Sequence, residues 1–289
     1  MSKLAVLMTC HNRRDKTVMC LRSLAAAAAH APVVSYHVYL VDDASTDGTT
    51  AAVEQLGMPL TVVRGSGDLY WNRGMVRAWQ TATEHEDAFD GFLLLNDDTS
   101  LDESALLDLL TVSHQYDNRA IVVGAVRDPY SGALTYGGVL RASRWHPGRV
   151  RSLPISDKSQ LADTFNANCV YVTAAVFEAV GMLDPTFQHA MGDFDYGYRA
   201  IRRGFHVVVA PGTVGTCARN PVAGSWRDPA LPVKRRLMLL ESPKGLPRRE
   251  WREFLRRHGA PLPTLLAWMP ALRVLRSGAF INTGRERPT

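Results

Sequence analysis

Two periods of apolar and polar positions alternate along the first half of the chain. Mostly apolar runs at 4–8, 36–41, 60–63, 91–95 and 120–126 predict buried strands, because a strand covered on both faces has little polar side to show. Between them, at 15–29, after Asp47, at 72–84 and at 103–115, the apolar positions follow helical spacing. Strands separated by single helices predict a mostly parallel sheet flanked by helices. Ligands of such sheets gather at the carboxyl ends of the strands. The residues to inspect are therefore Thr9-Cys10-His11-Asn12, Asp42-Asp43 and Asn96-Asp97-Asp98, each just past an apolar run.

From 128 to 163 the pattern lapses into mixed Gly, Pro, Tyr and Arg, with one strand candidate at 134–139. This predicts a loop-rich insertion, the kind of segment that carries specificity. Regular pattern returns with a strand at 169–173, helices at 174–180 and 194–203, and a strand at 206–209. Three basic helical stretches follow, at 232–240, 247–257 and 262–275.

The 289 residues, 46% hydrophobic, suffice for one large α/β domain or two small ones. Cys10, Cys20, Cys169 and Cys217 are scattered without a CxxC pair, which argues against a zinc ribbon or a disulfide framework and for a reducing, cytoplasmic setting. The first apolar run begins too close to Met1 for a secretion signal, and no run approaches the roughly 20 residues of a membrane span. The net charge of +5 averages two unlike parts. Residues 1–226 carry 19 basic against 23 acidic side chains, and residues 227–289 carry 14 against 5. The basic surplus thus belongs to the C-terminal segment, where it suits nucleic acid, anionic lipid or an acidic partner.

Each acidic group has a plain reading and a chemical one. Asp47 reads as a turn and helix-cap residue. Adjacent carboxylates such as Asp42-Asp43 repel each other unless a donor, a cation or solvent satisfies them. Asp97-Asp98, emerging at the ligand edge, offers oxygen ligands suited to Mg²⁺ or Mn²⁺ bridging to phosphates. In Gly192-Asp193-Phe194-Asp195-Tyr196-Gly197-Tyr198-Arg199, Asp193 reads either as an anion at a helix start or as a general base. Asp195 sits at i,i+4 from Arg199, a pairing that would orient it.

The blocks 7–13, Val41-Asp42-Asp43-Ala44-Ser45-Thr46-Asp47-Gly48-Thr49, Leu95-Asn96-Asp97-Asp98-Thr99 and 192–199, in that order, resemble the family 2 inverting glycosyltransferases of the GT-A fold. The segment 67–75, GDLYWNRGM, is similar to a block of the rhamnosyltransferase-like branch. The resemblance, over about residues 3–220, implies a nucleotide-diphospho-sugar transferase fold. It implies a catalytic domain at 1–226, with a nucleotide-binding half at about 1–127 and an acceptor-binding half at about 128–226, followed by a basic helical extension at 227–289. It also implies roles: Asp43 for the pyrimidine N3–H with Asp42 beside it, Thr9 and His11 along the nucleoside, Asp98 as metal ligand, Asp97 near ribose or metal, and Asp193 as catalytic base. Tyr70, Trp71, Arg73 and Gly74 are donor-pocket candidates, and Asp195 and Trp145 acceptor-side candidates. The sequence departs from the family in two places. Gly192 replaces the usual Glu, and no His stands in 213–217 as an extra metal ligand.

The expected activity is non-processive transfer of a sugar from a UDP- or dTDP-linked donor to a glycan or lipid-linked acceptor, with Mn²⁺ or Mg²⁺ as cofactor. A processive synthase would show QxxRW after Asp193, which is missing. A sugar-1-phosphate nucleotidylyltransferase would need a glycine-rich basic loop after the first strand, and a non-catalytic nucleotide-sugar-binding protein would need no base. Nucleic-acid binding rests on tail charge alone. Trp79, at helical spacing from Met75, reads as core. The amphipathic stretch around Trp251, Phe254 and Leu255 suits either docking on the catalytic domain or peripheral binding at the inner face of the membrane, where lipid-linked acceptors reside.

Overall fold

The computed structural model describes residues 2–84 and 88–283. Its strands are β1 (Ser2–Cys10), β2 (Val34–Asp42), β3 (Leu60–Arg64), β4 (Gly91–Leu95), β5 (Ser100–Leu101), β6 (Ala120–Val123), β7 (Val126–Arg127), β8 (Leu134–Tyr136), β9 (Gly138–Arg141), β10 (Val150–Ser152), β11 (Gln160–Ala162), β12 (Thr164–Phe165), β13 (Cys169–Thr173), β14 (His206–Val209) and β15 (Gly215–Thr216). Its helices are α1 (Arg14–His30), α2 (Thr49–Glu54), α3 (Tyr70–Glu84), α4 (Ala105–Gln115), α5 (Ala174–Val180), α6 (Gly192–Arg202), α7 (Val233–Leu240), α8 (Arg248–Arg257) and α9 (Pro263–Thr283).

The central sheet has the order β11-β14-β6-β13-β4-β1-β2-β3. Only β13 and β11 run against the other strands. The mostly parallel sheet expected from the sequence is thus a mixed one. Because the pleat sends alternate side chains to opposite faces, β1 supplies Leu4, Val6 and Met8 to the core under α1 and α4, and Ala5 and Leu7 to the core under α3, α5 and α6. Trp79 is fully buried in the second core, against the rings of Phe92, Phe177 and Tyr196. Its truncation to Ala would remove about 3–5 kcal/mol.

Register places the chemistry. Cys10 pairs with Asp42 and Leu7 with Leu94, so the ends of β1, β2 and β4 stand side by side. The segments after them form one edge.

The expected strand at 120–126 breaks at Gly124, where a side chain would collide with Val214, and β7 joins a second sheet of order β5-β15-β7-β8. The segment 128–163 is not loop alone. It folds into short strands, of which β9 and β10 pair with each other and β9 also pairs with β12. Strands of three or four residues carry too few positions to display a period. A third apolar cluster joins Trp251, Phe254 and Leu255 of α8 and Ala267 of α9 to Phe194 and Tyr198 of α6 and to Phe187. The apolar face of α8 therefore docks on the remainder of the chain. No helix among the described residues is long and apolar enough to cross a membrane.

Candidate active site

Asp42 and Asp43, adjacent in sequence, have separate duties. Asp42 accepts from the Ser45 amide at 2.9 Å and from the Thr50 hydroxyl, so both its oxygens go to the turn leading into α2. In this structure Asp42 therefore braces the turn. The Asp43 carboxylate accepts from the amides of Gly67 (2.7 Å), Leu69 (3.0 Å) and Tyr70 (3.2 Å). Gly65 is required beneath it, since a Cβ there would overlap the Asp43 carboxylate. One Asp43 oxygen takes two amides and the other one, which leaves the latter a free accepting direction.

His11 donates from Nδ1 to the Asp43 carbonyl at 2.6 Å, and its Nε2 accepts from Asn12 at 3.2 Å. Those partners place the ring hydrogen on Nδ1. Asn12 also accepts from the Thr46 amide, tying the loop after β1 to the loop after β2. Asp47 accepts from the amides of Arg14 and Thr49, so it joins the starts of α1 and α2 from the turn, while the capping position of α2 expected of it is held by Gly48.

At the end of β4, Arg13 Nη1 lies 2.8 Å from Asp97 Oδ1 and 2.8 Å from Asp98 Oδ2. Burial raises the Asp97 carboxyl to about 6 despite Arg13. The second oxygen of Asp98 accepts a weak hydrogen bond from the Cys217 thiol at 3.5 Å, and Cys217 in turn accepts from Asn168. A position 2.8 Å from one oxygen of each carboxylate is where two acids hold a cation. Asp97 and Asp98 therefore fit an oxygen-seeking divalent ion once Arg13 moves aside. Among the described residues no three His, Cys, Asp or Glu side chains converge to hold a metal.

Asp193 sits in the first turn of α6, partly exposed, and accepts from the Phe194 amide at 2.8 Å. Burial of its carboxyl, only partly offset by hydrogen bonds from the Phe194 and Ala167 amides, pushes it up to about 6. The residue after Ala167 reaches the other acids: the Asn168 carbonyl accepts from the Asn96 amide, and its side chain contacts Cys217. Two consecutive residues thus connect the base candidate with the Asp97-Asp98 turn.

The Glu absent at 192 has a steric explanation. A Cβ on Gly192 would collide with the side chain of Asn72, whose amide group donates to the carbonyls of Asp184 and Phe187 and whose buried Oδ1 has no partner. The sequence pattern does not single out Asn72, although Gly192 is the clue to it. His189 is likewise not marked by any sequence pattern. It packs edge-on against Tyr70, and burial lowers it to about 4, so it is neutral.

The remaining expected residues divide. Trp71 donates to Asn96 Oδ1 at 2.7 Å and Arg73 to the Pro185 carbonyl at 3.0 Å, so both brace the cleft wall. Thr9 is partly exposed beside Gly74. Gly74 itself is buried, and a Cβ there would strike Thr9, so it lets α3 approach β1. Asp195 is corrected more firmly. It is fully buried and bonded to Arg199 (2.7 Å) and His258 (3.0 Å), out of reach of any acceptor. Trp145 is 57% exposed with Arg144 over its ring, and it lies on a loop whose His146 and Gly148 meet Trp251 of α8. The structure shows no contact between Trp145 and the other site residues.

Backbone strain clusters at this cleft. Asn12, Ala44, Tyr70 and Met191 all have positive φ although none is glycine.

Comparison with known proteins agrees with this architecture. Residues 5–178 match the sequence profile of the glycosyl transferase family 2, and no curated protein matches the whole sequence significantly. Among solved structures, a mannosyltransferase from Pyrobaculum calidifontis in complex with GDP-Man and Mn²⁺ is 17% identical with a TM-score of 0.58, over 99% of this chain and 76% of that one. GalNAc-T7 with UDP, GalNAc and Mn²⁺ is 12% identical with a TM-score of 0.58, over 99% of this chain but 58% of its own. TarS 1–349 from S. aureus is 14% identical with a TM-score of 0.55, over 96% and 81%. At these identities the likeness shows the fold, which is GT-A, while the profile covers more than half of the chain. The chain belongs to glycosyl transferase family 2 and is a glycosyltransferase.

Proposed function

We propose that the protein is a non-processive, inverting glycosyltransferase that moves a sugar from a UDP- or dTDP-linked donor to a hydroxyl of a glycan or lipid-linked acceptor. Asp43 uses its remaining accepting direction for the pyrimidine N3–H, which uracil and thymine share, with Thr9 and His11 beside the nucleoside. Tyr70 lies along the donor. Asp97 and Asp98 hold the divalent ion, Mn²⁺ or Mg²⁺, which when bound offsets charge on the departing diphosphate.

The observation that carries the reading is Asp193. A partly exposed carboxyl raised to about 6 is ionised near neutral pH yet still basic enough to take a proton. It accepts the acceptor's hydroxyl proton as that oxygen attacks the anomeric carbon from the side opposite the diphosphate, and attack from that side inverts the centre. The proton passes to solvent through the exposed side of Asp193. A scaffold that only bound nucleotide sugars would have no use for such a base.

The C-terminal extension bears on the acceptor. With the apolar face of α8 docked, α9 still exposes Leu265, Trp268, Leu272 and Leu275, and beside them a cavity of about 290 Å³ is lined by Arg248, Arg249 and Arg252. Arg248 itself is engaged, 3.9 Å from Glu241 and over the Trp268 ring, but apolar side chains beside three guanidinium groups still favour an anionic membrane surface, where a lipid-linked acceptor is presented. Co-sedimentation with vesicles containing acidic lipid, and none with neutral vesicles, is the expected result.

The test of the activity is a thermal-shift screen of UDP-, dTDP- and GDP-sugars with and without Mn²⁺, followed by turnover of the stabilising donor. Wild-type turnover by Asp193→Asn would remove Asp193 from its role, and a screen without any stabilising sugar nucleotide would remove the donor assignment.

A further inference from the structure

Two carboxylates on successive residues at the end of a strand need positive charge between them. Arg13, in the loop between β1 and α1, supplies it through one nitrogen that touches both. The Asp97 and Asp98 side chains are 8% and 14% exposed and that of Arg13 is 38%, so the guanidinium covers the acids from the open side. Among the described residues, the only other side chain bonded to either acid is Cys217, on the far oxygen of Asp98. The protein thus fills the position of a cation with a cation of its own.

We propose that Arg13 is a built-in counter-ion at this pair: its guanidinium and a divalent metal compete for one position, and metal enters only as Arg13 leaves. The inference rests on reading Asp97-Asp98 as the donor-diphosphate site. Metal alone binds weakly, because it must displace a bound cation and gains only two protein carboxylates. A nucleoside diphosphate changes both conditions. Its oxygens add ligands to the ion, and its phosphates offer the displaced guanidinium an anion that suits its forked donors. Metal and nucleotide therefore strengthen each other's binding, with Arg13 carrying the coupling.

The test is Mn²⁺ binding, read from the electron paramagnetic resonance of free Mn²⁺, with and without UDP or dTDP. The proteins are wild type, Arg13→Gln, Arg13→Lys and the double variant Arg13→Gln/Asp98→Asn. Folding of the Gln variant should hold, since α1 begins with bonds to the Arg13 carbonyl and not to its side chain. Arg13→Gln is expected to bind Mn²⁺ alone about tenfold tighter than wild type and to lose most of the gain from nucleotide, with Arg13→Lys in between. Its melting temperature should fall without metal, because the acids lose their counter-ion, and Mn²⁺ should restore more of it than Mn²⁺ adds to wild type.

Unchanged or weaker Mn²⁺ binding by Arg13→Gln overturns the proposal. A gain that persists in the double variant also overturns it, by locating the metal elsewhere. If neither nucleotide binds any of the proteins, the donor-site reading fails, while the nucleotide-free arm still decides whether Arg13 and metal compete.

Discussion

At the donor edge of the cleft, Asp43 is fixed by three amides that lie within 27 residues of it, whereas at the base edge Asp195 is fixed by His258, 63 residues away. The donor edge is local and held by neutral dipoles. The base edge depends on α8, whose Arg257 bonds Asp184 at 2.5 Å and lies 3.6 Å from Asp195, and whose Glu250 accepts from the Gln188 amide. Within that edge Asp193 and Asp195 diverge although both occupy the first turn of α6. Burial raises Asp193, while for Asp195 burial is outweighed by His258 and Arg199, which leave it below the ordinary carboxylate range. Environment thus suits one carboxyl to the proposed chemical role and its near neighbour to an anchoring one.

The largest expected effect breaks the chemical half of that contrast. Asp193→Asn should slow transfer by about 10²–10⁴-fold while the thermal shift given by the donor persists. The same variant should be more stable than wild type at neutral pH. The folded carboxyl titrates near 6 against an ordinary 3.8, so ionisation disfavours the folded state increasingly from about pH 4 to pH 6 and by a constant amount above. Asn escapes this, so a gain of about 1–3 kcal/mol should appear in melts at pH 7.5 and vanish at pH 4.

Breaking the anchoring half gives the opposite profile. Asp195→Ala leaves Arg199 and His258 facing an empty carboxylate site and should destabilise by about 3–5 kcal/mol, read from urea midpoints, with nucleotide binding retained in the folded protein. Asp43→Ala removes charge-assisted bonds to the 67–70 loop and should weaken donor binding by about 1.5–3 kcal/mol in titration calorimetry, with little change in kcat. Smallest of all, Trp145→Ala should shift stability by no more than about 0.5 kcal/mol, and any kinetic change should be confined to the acceptor KM.

Legibility followed the same division. The strands at 91–95, 169–173 and 206–209 and the helix at 174–180 have the bounds expected from sequence; the first two are fully buried, and such runs are continuous and end abruptly. The sheet-end acids were found because parallel strands carry their chemistry just beyond their last apolar residue. The Asp195–Arg199 pair was legible from helical spacing, but His258 was not, since no local period links residues 63 apart. That hidden partner is why Asp195 was expected at the acceptor. Asp42 and Asp43 look alike in sequence, and only their hydrogen bonds separate the brace of the α2 turn from the residue proposed to recognise the base. Arg13 stood inside a recognised block, yet nothing in its spacing announced that it would lie between Asp97 and Asp98.

The central claim, that Asp193 is the base, is tested most directly by the pH dependence of kcat/KM for the donor identified by thermal shift, in wild type and in Asp193→Asn. The account predicts that wild-type activity falls on the acid side with a midpoint near 6, and that the residual activity of Asp193→Asn lacks that limb. A variant that keeps both the rate and the same acid limb would contradict it.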